Sequence, residues 1–291
     1  SAHLMGPYVE SLEAETRGAI EHMEARGYKI RSIYIGGGTP TSLPDELFER
    51  VLRLIPENSQ PLEFTVEAGR PDTITPIKLA IMKENNVTRL SINPQSMNDI
   101  TLTNIGRNHT AEDIYKAFEL ACEARFDHIN ADLIAGLPGE GMEEFAFSLD
   151  EILNLGADNI TVHTLALKRG SFFNRQDMAV AVEEKTADRM VELARQVLTS
   201  RGYRPYYLYR QKYMTGSLEN VGYALPGTEC LYNPDMMEET AHIIACGSGG
   251  ISKRIYFDKN RIERAPNVKN IKEYIDRTDE MLARKKALFG S

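Results

Sequence analysis

The sequence predicts an α/β protein with a partial TIM-type (β/α) barrel that lacks its first strand, over residues 1–180, and a smaller α+β domain over residues 181–291. Runs of β-branched and aliphatic residues recur at intervals of roughly 30 residues, the length of one strand and its return helix. These runs lie at 32–35, 63–66, 89–92, 128–134 and 159–162. Helical patterns separate them, one with a capping-box start at Thr110 and Asp113. An open doubly wound sheet is the alternative.

The predicted strands are nearly continuous in apolar residues, as expected of parallel strands that are buried on both faces. The first visible element, however, is a helix. Residues 8–26 have an apolar face formed by Val9, Leu12, Ile20 and Met23. A strand–helix repeat that begins with its helix has lost its strand, so we expect a strand and its following loop upstream of Ser1.

The pattern changes after residue 181. A long helical pattern over 182–199 leads into an aromatic strand at 206–210, and a loop rich in Gly, Asn and Pro and a final charged helix follow. The loss of the strand–helix alternation predicts the second, smaller domain.

The composition excludes some classes of protein. A net charge of −8 argues against a nucleic-acid binder, which needs a basic surface. No apolar run approaches the roughly 20 residues that span a bilayer. The three dispersed cysteines favour a reducing cytosol and do not have the close spacing of a metal site. Cys122 and Cys246 are predicted to be buried small hydrophobic residues, whereas the role of Cys230, in a loop, stays open.

Polar residues follow the predicted strands. Because barrel enzymes place their sites at the C-terminal ends of the strands, we expect these residues to converge on a ligand. For any one of them, a tight turn, a loop-bracing acid or a hydrogen-bonded wall residue is the alternative. The residues are Gly36–Gly38 with Thr39, Glu67, Gln95, Asp132 and His163 at the strand ends, and Arg107 before a helix.

Several of these segments together resemble a known family. The glycine run at 34–41, the segments 95–96 and 106–109, and the strand and loop at 130–138 resemble radical S-adenosylmethionine (SAM) enzymes of the oxygen-independent coproporphyrinogen III oxidase family. The segments 206–212, 218–224 and 236–239 resemble its coproporphyrinogen dehydrogenase branch.

The resemblance implies SAM as cofactor and assigns roles to particular residues. Gly37, Gly38 and Thr39 would hold the methionine end of SAM. Its amino-acid, ribose and neighbouring groups would meet Glu67, Gln95, Arg107 and Asp132. Its adenine would meet Ala166 and Ile251.

The resemblance also implies a [4Fe–4S] cluster held by a three-cysteine motif that this sequence lacks. We expect those cysteines in the missing loop upstream of Ser1, so this form is expected to be inactive. In the implied reaction, a radical derived from SAM takes a hydrogen from a coproporphyrinogen propionate, which loses carbon dioxide and an electron to become vinyl. The reaction implies an electron donor and an electron acceptor as partners. The protein itself is expected to be a monomer in the cytosol.

A tetrapyrrole with four propionates should meet cations and polar groups near the barrel mouth. The candidates are His163, Lys168, Arg169, Arg204, Tyr209, Arg210 and Lys212. The alternative is that the tyrosine strand is sheet core, with Arg and Lys on its wet side. Rival functions are haem carriage within the same family, another radical SAM reaction on a carboxylate, and a barrel enzyme that binds a phosphate or nucleotide.

Overall fold

A computed structural model describes residues 2–165, 184–209 and 219–290. Its residues form two compact units. The sheet unit comprises Tyr34–Ser42 and Phe64–Cys230, and the helical unit comprises Ser1–Ile33, Leu43–Glu63 and Leu231–Ser291. The domain boundary predicted at residues 180 and 181 lies outside the described residues and stays a prediction.

A seven-stranded sheet confirms the predicted α/β class and the partial TIM-type barrel. Its strands are β1 (Ser32–Ile35), β2 (Glu63–Gly69), β3 (Arg89–Gln95), β4 (His128–Ala135), β5 (Asn159–Thr164), β6 (Arg204–Tyr209) and β7 (Asn220–Ala224). They lie in the order β1-β2-β3-β4-β5-β7-β6. Strands β2 to β5 are parallel neighbours, whereas β7 runs antiparallel to β5 and β6 antiparallel to β7.

The helices match the predicted alternation. In the sheet unit they are α3 (Pro76–Glu84), α4 (Asp99–Asn104), α5 (Ala111–Glu123), α6 (Met142–Asn154) and α7 (Glu184–Ser200). The side chain of Thr110 accepts the Asp113 amide, and Asp113 accepts the Thr110 amide in return, which confirms the capping box. No helix among the described residues is long and apolar enough to cross a membrane.

The two faces of the parallel strands differ in polarity, so the expectation of nearly continuous apolar strands is wrong. One face is buried and apolar, with Phe64, Val66, Leu90, Ile92, Ala131, Leu133, Ile160 and Val162. Alternate residues give the other face Glu67, Ser91, Asn93, Asn130, Asp132, Thr161 and His163. The register aligns these residues across neighbouring strands, and this polar face carries the candidate site.

Tyr207 anchors β6 to this sheet. Its hydroxyl lies 2.9 Å from the Thr161 hydroxyl, and its ring fills the space over Gly222, where an added Cβ would lie 1.8 Å from a ring carbon. Burial and the charge of Asp132 raise the pKa of the Tyr207 phenol. Tyr207 is therefore part of the sheet core, which agrees with the alternative to a substrate contact for the tyrosine strand.

The helical unit consists of helices and one hairpin. Its elements are α1 (Met5–Glu24), α2 (Asp45–Leu52), α8 (Tyr232–Met237), α9 (Ile271–Asp276), α10 (Thr278–Phe289), β8 (Ile251–Tyr256) and β9 (Arg261–Pro266). Helix α1 packs against α2, α9 and α10. The helix predicted at 8–26 is confirmed, and it both begins and ends a few residues earlier, at Met5 and Glu24.

A buried carboxylate lies at the centre of this unit. Glu15 is 0% exposed and accepts hydrogen bonds from the Gly247 amide (2.7 Å), Asn267 Nδ2 (2.7 Å), the Tyr274 hydroxyl (2.6 Å) and Lys285 Nζ (2.5 Å). Lys285 also donates to Asn267 Oδ1 at 2.8 Å. The ion pair is thus buried and fully hydrogen-bonded. Removal of either partner would leave an uncompensated charge away from water, which is strongly destabilising.

Candidate functional site

Glu67 lies near the C-terminal end of β2 and organises one side of the candidate site. Its carboxylate accepts hydrogen bonds from the Tyr34 hydroxyl and Asn93 Nδ2, each at 3.2 Å, and from the Gly37 amide. Burial and the negative charge of Asp132 raise the pKa of Glu67, and the three hydrogen bonds oppose that rise. Two carboxyl groups therefore interact across the polar face of the sheet.

The glycine loop after β1 makes room for this carboxylate. A Cβ on Gly36 would lie 2.6 Å from Glu67 Oε2 and 2.5 Å from a Tyr34 ring carbon, so only glycine fits there. Gly37 has a φ of +99°, which glycine adopts without strain. A Cβ on Gly37 or Gly38 would meet nothing within 4 Å, so the loop borders open space that a ligand can occupy.

Asp132 and His163 form the other side of the site. Asp132 Oδ2 lies 3.4 Å from His163 Nε2, and His163 Nδ1 lies 3.1 Å from the Tyr209 hydroxyl. Strand register makes this possible because His163 lies beside Ile134, two residues beyond Asp132 on the same face. The three side chains link β4, β5 and β6 at the ends of the strands.

Gln95 and Arg107 flank the connection that follows β3. Gln95 ends β3 with a φ of +72°, an uncommon conformation for a residue other than glycine. Arg107 is exposed, and among the described residues its guanidinium has no hydrogen bond or ion pair. Partial desolvation and the positive charge of Arg70 lower the pKa of Arg107, so an anionic ligand group would relieve an unbalanced cation.

Some predicted residues cannot be compared with the site. Ala166, Lys168, Arg169, Arg210 and Lys212 lie outside the described residues. Ile251 begins β8 in the helical unit, and its predicted adenine contact stays a prediction.

The strand register argues against one predicted substrate contact. Arg204 pairs through Ala224 with Asn159, at the start of β5, and is exposed there. Glu67 lies near the C-terminal end of β2, so Arg204 lies at the opposite end of the strands from the site. The cause is the direction of β6, which is antiparallel to β7 and therefore runs the same way as β5, so its last residue, Tyr209, lies at the site and its first, Arg204, at the other end.

The sequence analysis assigned no role to two partners of Glu67. Tyr34 and Asn93 hold its carboxylate, yet neither follows a strand end, where functional residues were expected. The sequence did contain a signal for Asn93. Ser91 and Asn93 are two positions apart in β3, so their polar side chains lie on the same face of the strand. The Ser91 hydroxyl donates to Asn93 Oδ1 at 2.9 Å and orients that amide.

The described residues fit SAM. Its ammonium and sulfonium are cations that suit the negative field of Glu67 and Asp132, its carboxylate suits Arg107, and its ribose hydroxyls suit carboxylate acceptors. The open backbone of Gly37 and Gly38 leaves space for it.

The described residues do not fit a [4Fe–4S] cluster. Among them no group of three or more His, Cys, Asp or Glu side chains could hold a metal. Cys230 is buried, and burial followed by the charge of Glu15 raises the pKa of the Cys246 thiol to about 12. Cys122 is exposed, so its predicted burial is wrong, because it lies on the outer face of α5 next to the buried Ala121.

Comparisons with known proteins identify the family of this chain. Residues 4–152 match the family model described as the Radical SAM superfamily. The oxygen-independent coproporphyrinogen-III oxidase-like protein HemZ of Bacillus subtilis is 43% identical over 288 residues, which cover 96% of this chain and 57% of that protein. The heme chaperone HemW of Lactococcus lactis is 31% identical, and the match covers 92% of this chain and 69% of that protein.

A solved structure supports the fold. The coproporphyrinogen III oxidase HemN of Escherichia coli, which is described as a radical SAM enzyme, superposes with a TM-score of 0.75 at 22% identity. The superposition covers 97% of this chain and 64% of that one, so this chain spans less than two thirds of either oxidase-named relative. By its sequence match, its curated relatives and its fold, the chain belongs to the radical SAM superfamily.

Proposed function

We propose that this chain is the SAM-binding part of a radical SAM protein that converts propionate side chains of coproporphyrinogen III to vinyl groups. The observation that supports this most is the 43% identity, over 96% of the chain, with a protein named as coproporphyrinogen-III oxidase-like. The polar strand ends around Glu67 and Asp132 supply the matching ligand chemistry.

The residues of the site have separable tasks in this proposal. Gly37, Gly38 and Thr39 face the methionine end of SAM, and Arg107 binds its carboxylate. Glu67 and Asp132 accept hydrogen bonds from its ammonium and ribose. When bound and reductively cleaved, SAM supplies hydrogen-atom abstraction from a substrate propionate. The protein's own contribution is orientation and exclusion of water.

The side of the site formed by β5 and β6 faces the substrate in this proposal. The Tyr209 hydroxyl and His163 are joined at 3.1 Å, and Asp132 lies on the far side of the imidazole. The pair offers hydrogen-bonding groups to a propionate carboxylate. The electron donor and acceptor, the monomeric state and the cytosolic location stay predictions.

Haem carriage is the second candidate function. The relative named as a heme chaperone is 31% identical, and the match covers more of that protein's length, 69%, than the match to the oxidase-like relative does. A haem carrier could keep the same SAM site.

The two functions are separable in one preparation. We expect the native full-length protein, with its cluster reconstituted and supplied with a one-electron reductant and an electron acceptor, to cleave SAM and to convert coproporphyrinogen III with release of carbon dioxide. Asp132→Asn should lose both activities. SAM cleavage without conversion, together with stoichiometric haem binding, would refute the oxidase proposal in favour of the carrier.

A further inference from the structure

The connection after β3 carries two of the proposed SAM contacts at its two ends. Gln95 stands just before it with a φ of +72°, and Arg107 stands just after Gly106, which has the same φ. Residues 96–106 lie between them and include α4, a helix of 6 residues in which the Leu102 carbonyl accepts the Arg107 amide at 2.9 Å. The positions of Gln95 and Arg107 therefore depend on what fixes residues 96–98.

Buried hydrogen bonds fix this segment. The wholly buried Ser96 hydroxyl donates to Glu140 Oε1 and accepts the Asn98 amide at 3.0 Å. The Met97 amide donates to Ser148 Oγ at 2.9 Å. Asn98 Oδ1 then accepts two amides at the start of α4. The anchor thus runs directly into the helix that precedes Arg107.

Glu140 is the unusual member of this anchor. It is 4% exposed, and its carboxyl is hydrogen-bonded to the hydroxyls of Ser96 and Thr101. Among the described residues it has no cationic partner. Burial, with a further contribution from the charge of Glu144, raises its pKa. Because burying a carboxyl group without a cation is costly, the two hydroxyl hydrogen bonds are what hold Glu140 in place beside residues 96–98.

We propose that Glu140 is a positioning residue for SAM, whose buried carboxyl anchors residues 96–98 and thereby holds Gln95 and Arg107 in place for the ligand. The inference rests on the proposed SAM site. Glu140 itself follows the loop after β4 and reaches Ser96 across 44 positions of sequence. It acts on the ligand only through the connection that it anchors.

The test compares SAM affinity with thermal stability in four forms of the 291-residue chain: wild type, Glu140→Ala, Glu140→Gln and Glu143→Ala. Glu143 is an exposed acid at the start of α6 and serves as the matched control. Calorimetric titration with SAM should show roughly tenfold weaker binding by Glu140→Ala, the loss of about one hydrogen bond to a carboxyl group. Glu140→Gln, which keeps an acceptor for Ser96, and Glu143→Ala should bind like the wild type.

Wild-type affinity in folded Glu140→Ala, with only the melting temperature lowered, would overturn the inference. If Glu140→Ala does not fold, Ser96→Ala removes the hydroxyl that donates to Glu140 and accepts the Asn98 amide, and it should weaken SAM binding in the same direction. Unchanged affinity in that variant would also overturn the inference. Failure of the wild type to bind SAM would instead refute the proposed function on which the inference rests.

Discussion

Replacement of Lys285 by methionine should lower the free energy of unfolding by about 3–5 kcal/mol, the usual cost of breaking a buried ion pair. The side chain of Lys285 is 2% exposed and that of Glu15 0%. Without the ammonium group, the buried Glu15 carboxylate loses its ion-pair partner, and Asn267 Oδ1 loses a donor. Denaturant unfolding of the purified chain measures this change.

A neighbouring lysine provides the control. Lys286 is exposed on the same helix, so Lys286→Met should change the stability by no more than about 0.5 kcal/mol. The double variant Glu15→Leu with Lys285→Met should regain part of the loss, since it leaves no unpaired buried charge. Equal stability of Lys285→Met and wild type would show that the ion pair does not hold α1 and α10 together.

Replacement of Glu67 by glutamine should weaken SAM binding roughly tenfold or more, because a hydrogen bond to a charged group contributes about 1.5–3 kcal/mol. The raised pKa of Glu67 adds a pH dependence. Below that pKa the carboxyl is neutral and attracts a cationic ligand poorly. Wild-type affinity for SAM should therefore rise as the pH rises through this raised pKa, and Glu67→Gln should lose that rise.

Two comparisons make this prediction specific. Glu119→Gln removes the same charge from an exposed position of α5 and should leave affinity and pH dependence unchanged. S-adenosylhomocysteine lacks the sulfonium charge, so it should bind the wild type more weakly than SAM does. A Glu67→Gln variant that binds SAM as tightly as the wild type at all pH values would remove Glu67 from the site.

The parts of the fold that follow from local pattern were predictable. Strand–helix alternation predicted β1 to β5, and the Thr110 and Asp113 spacing predicted the start of α5, since both are set within a few residues of sequence. The proximity of Glu67 and Asp132 was predictable because parallel strands end at one end of a barrel, whereas their contact with SAM stays a prediction.

Features that depend on pairing over long distances were not predictable. The direction of β6 determines that Tyr209, and not Arg204, reaches the site, and nothing local to that strand specifies it. Glu15 and Lys285 are 270 positions apart, and each alone resembles an ordinary surface residue of a helix. The anchoring role proposed for Glu140 likewise depends on its contact with Ser96, which lies 44 positions away in another loop.

A crystal structure of this chain with SAM tests the central claim most directly. The account predicts that SAM lies against Gly37, with Glu67 and Asp132 within hydrogen-bonding distance of its ammonium or ribose and Arg107 near its carboxylate. Crystals soaked in phosphate should show no ion at Gly36–Gly38. Phosphate at that loop, with no density for SAM beside Glu67 and Asp132, would contradict the account.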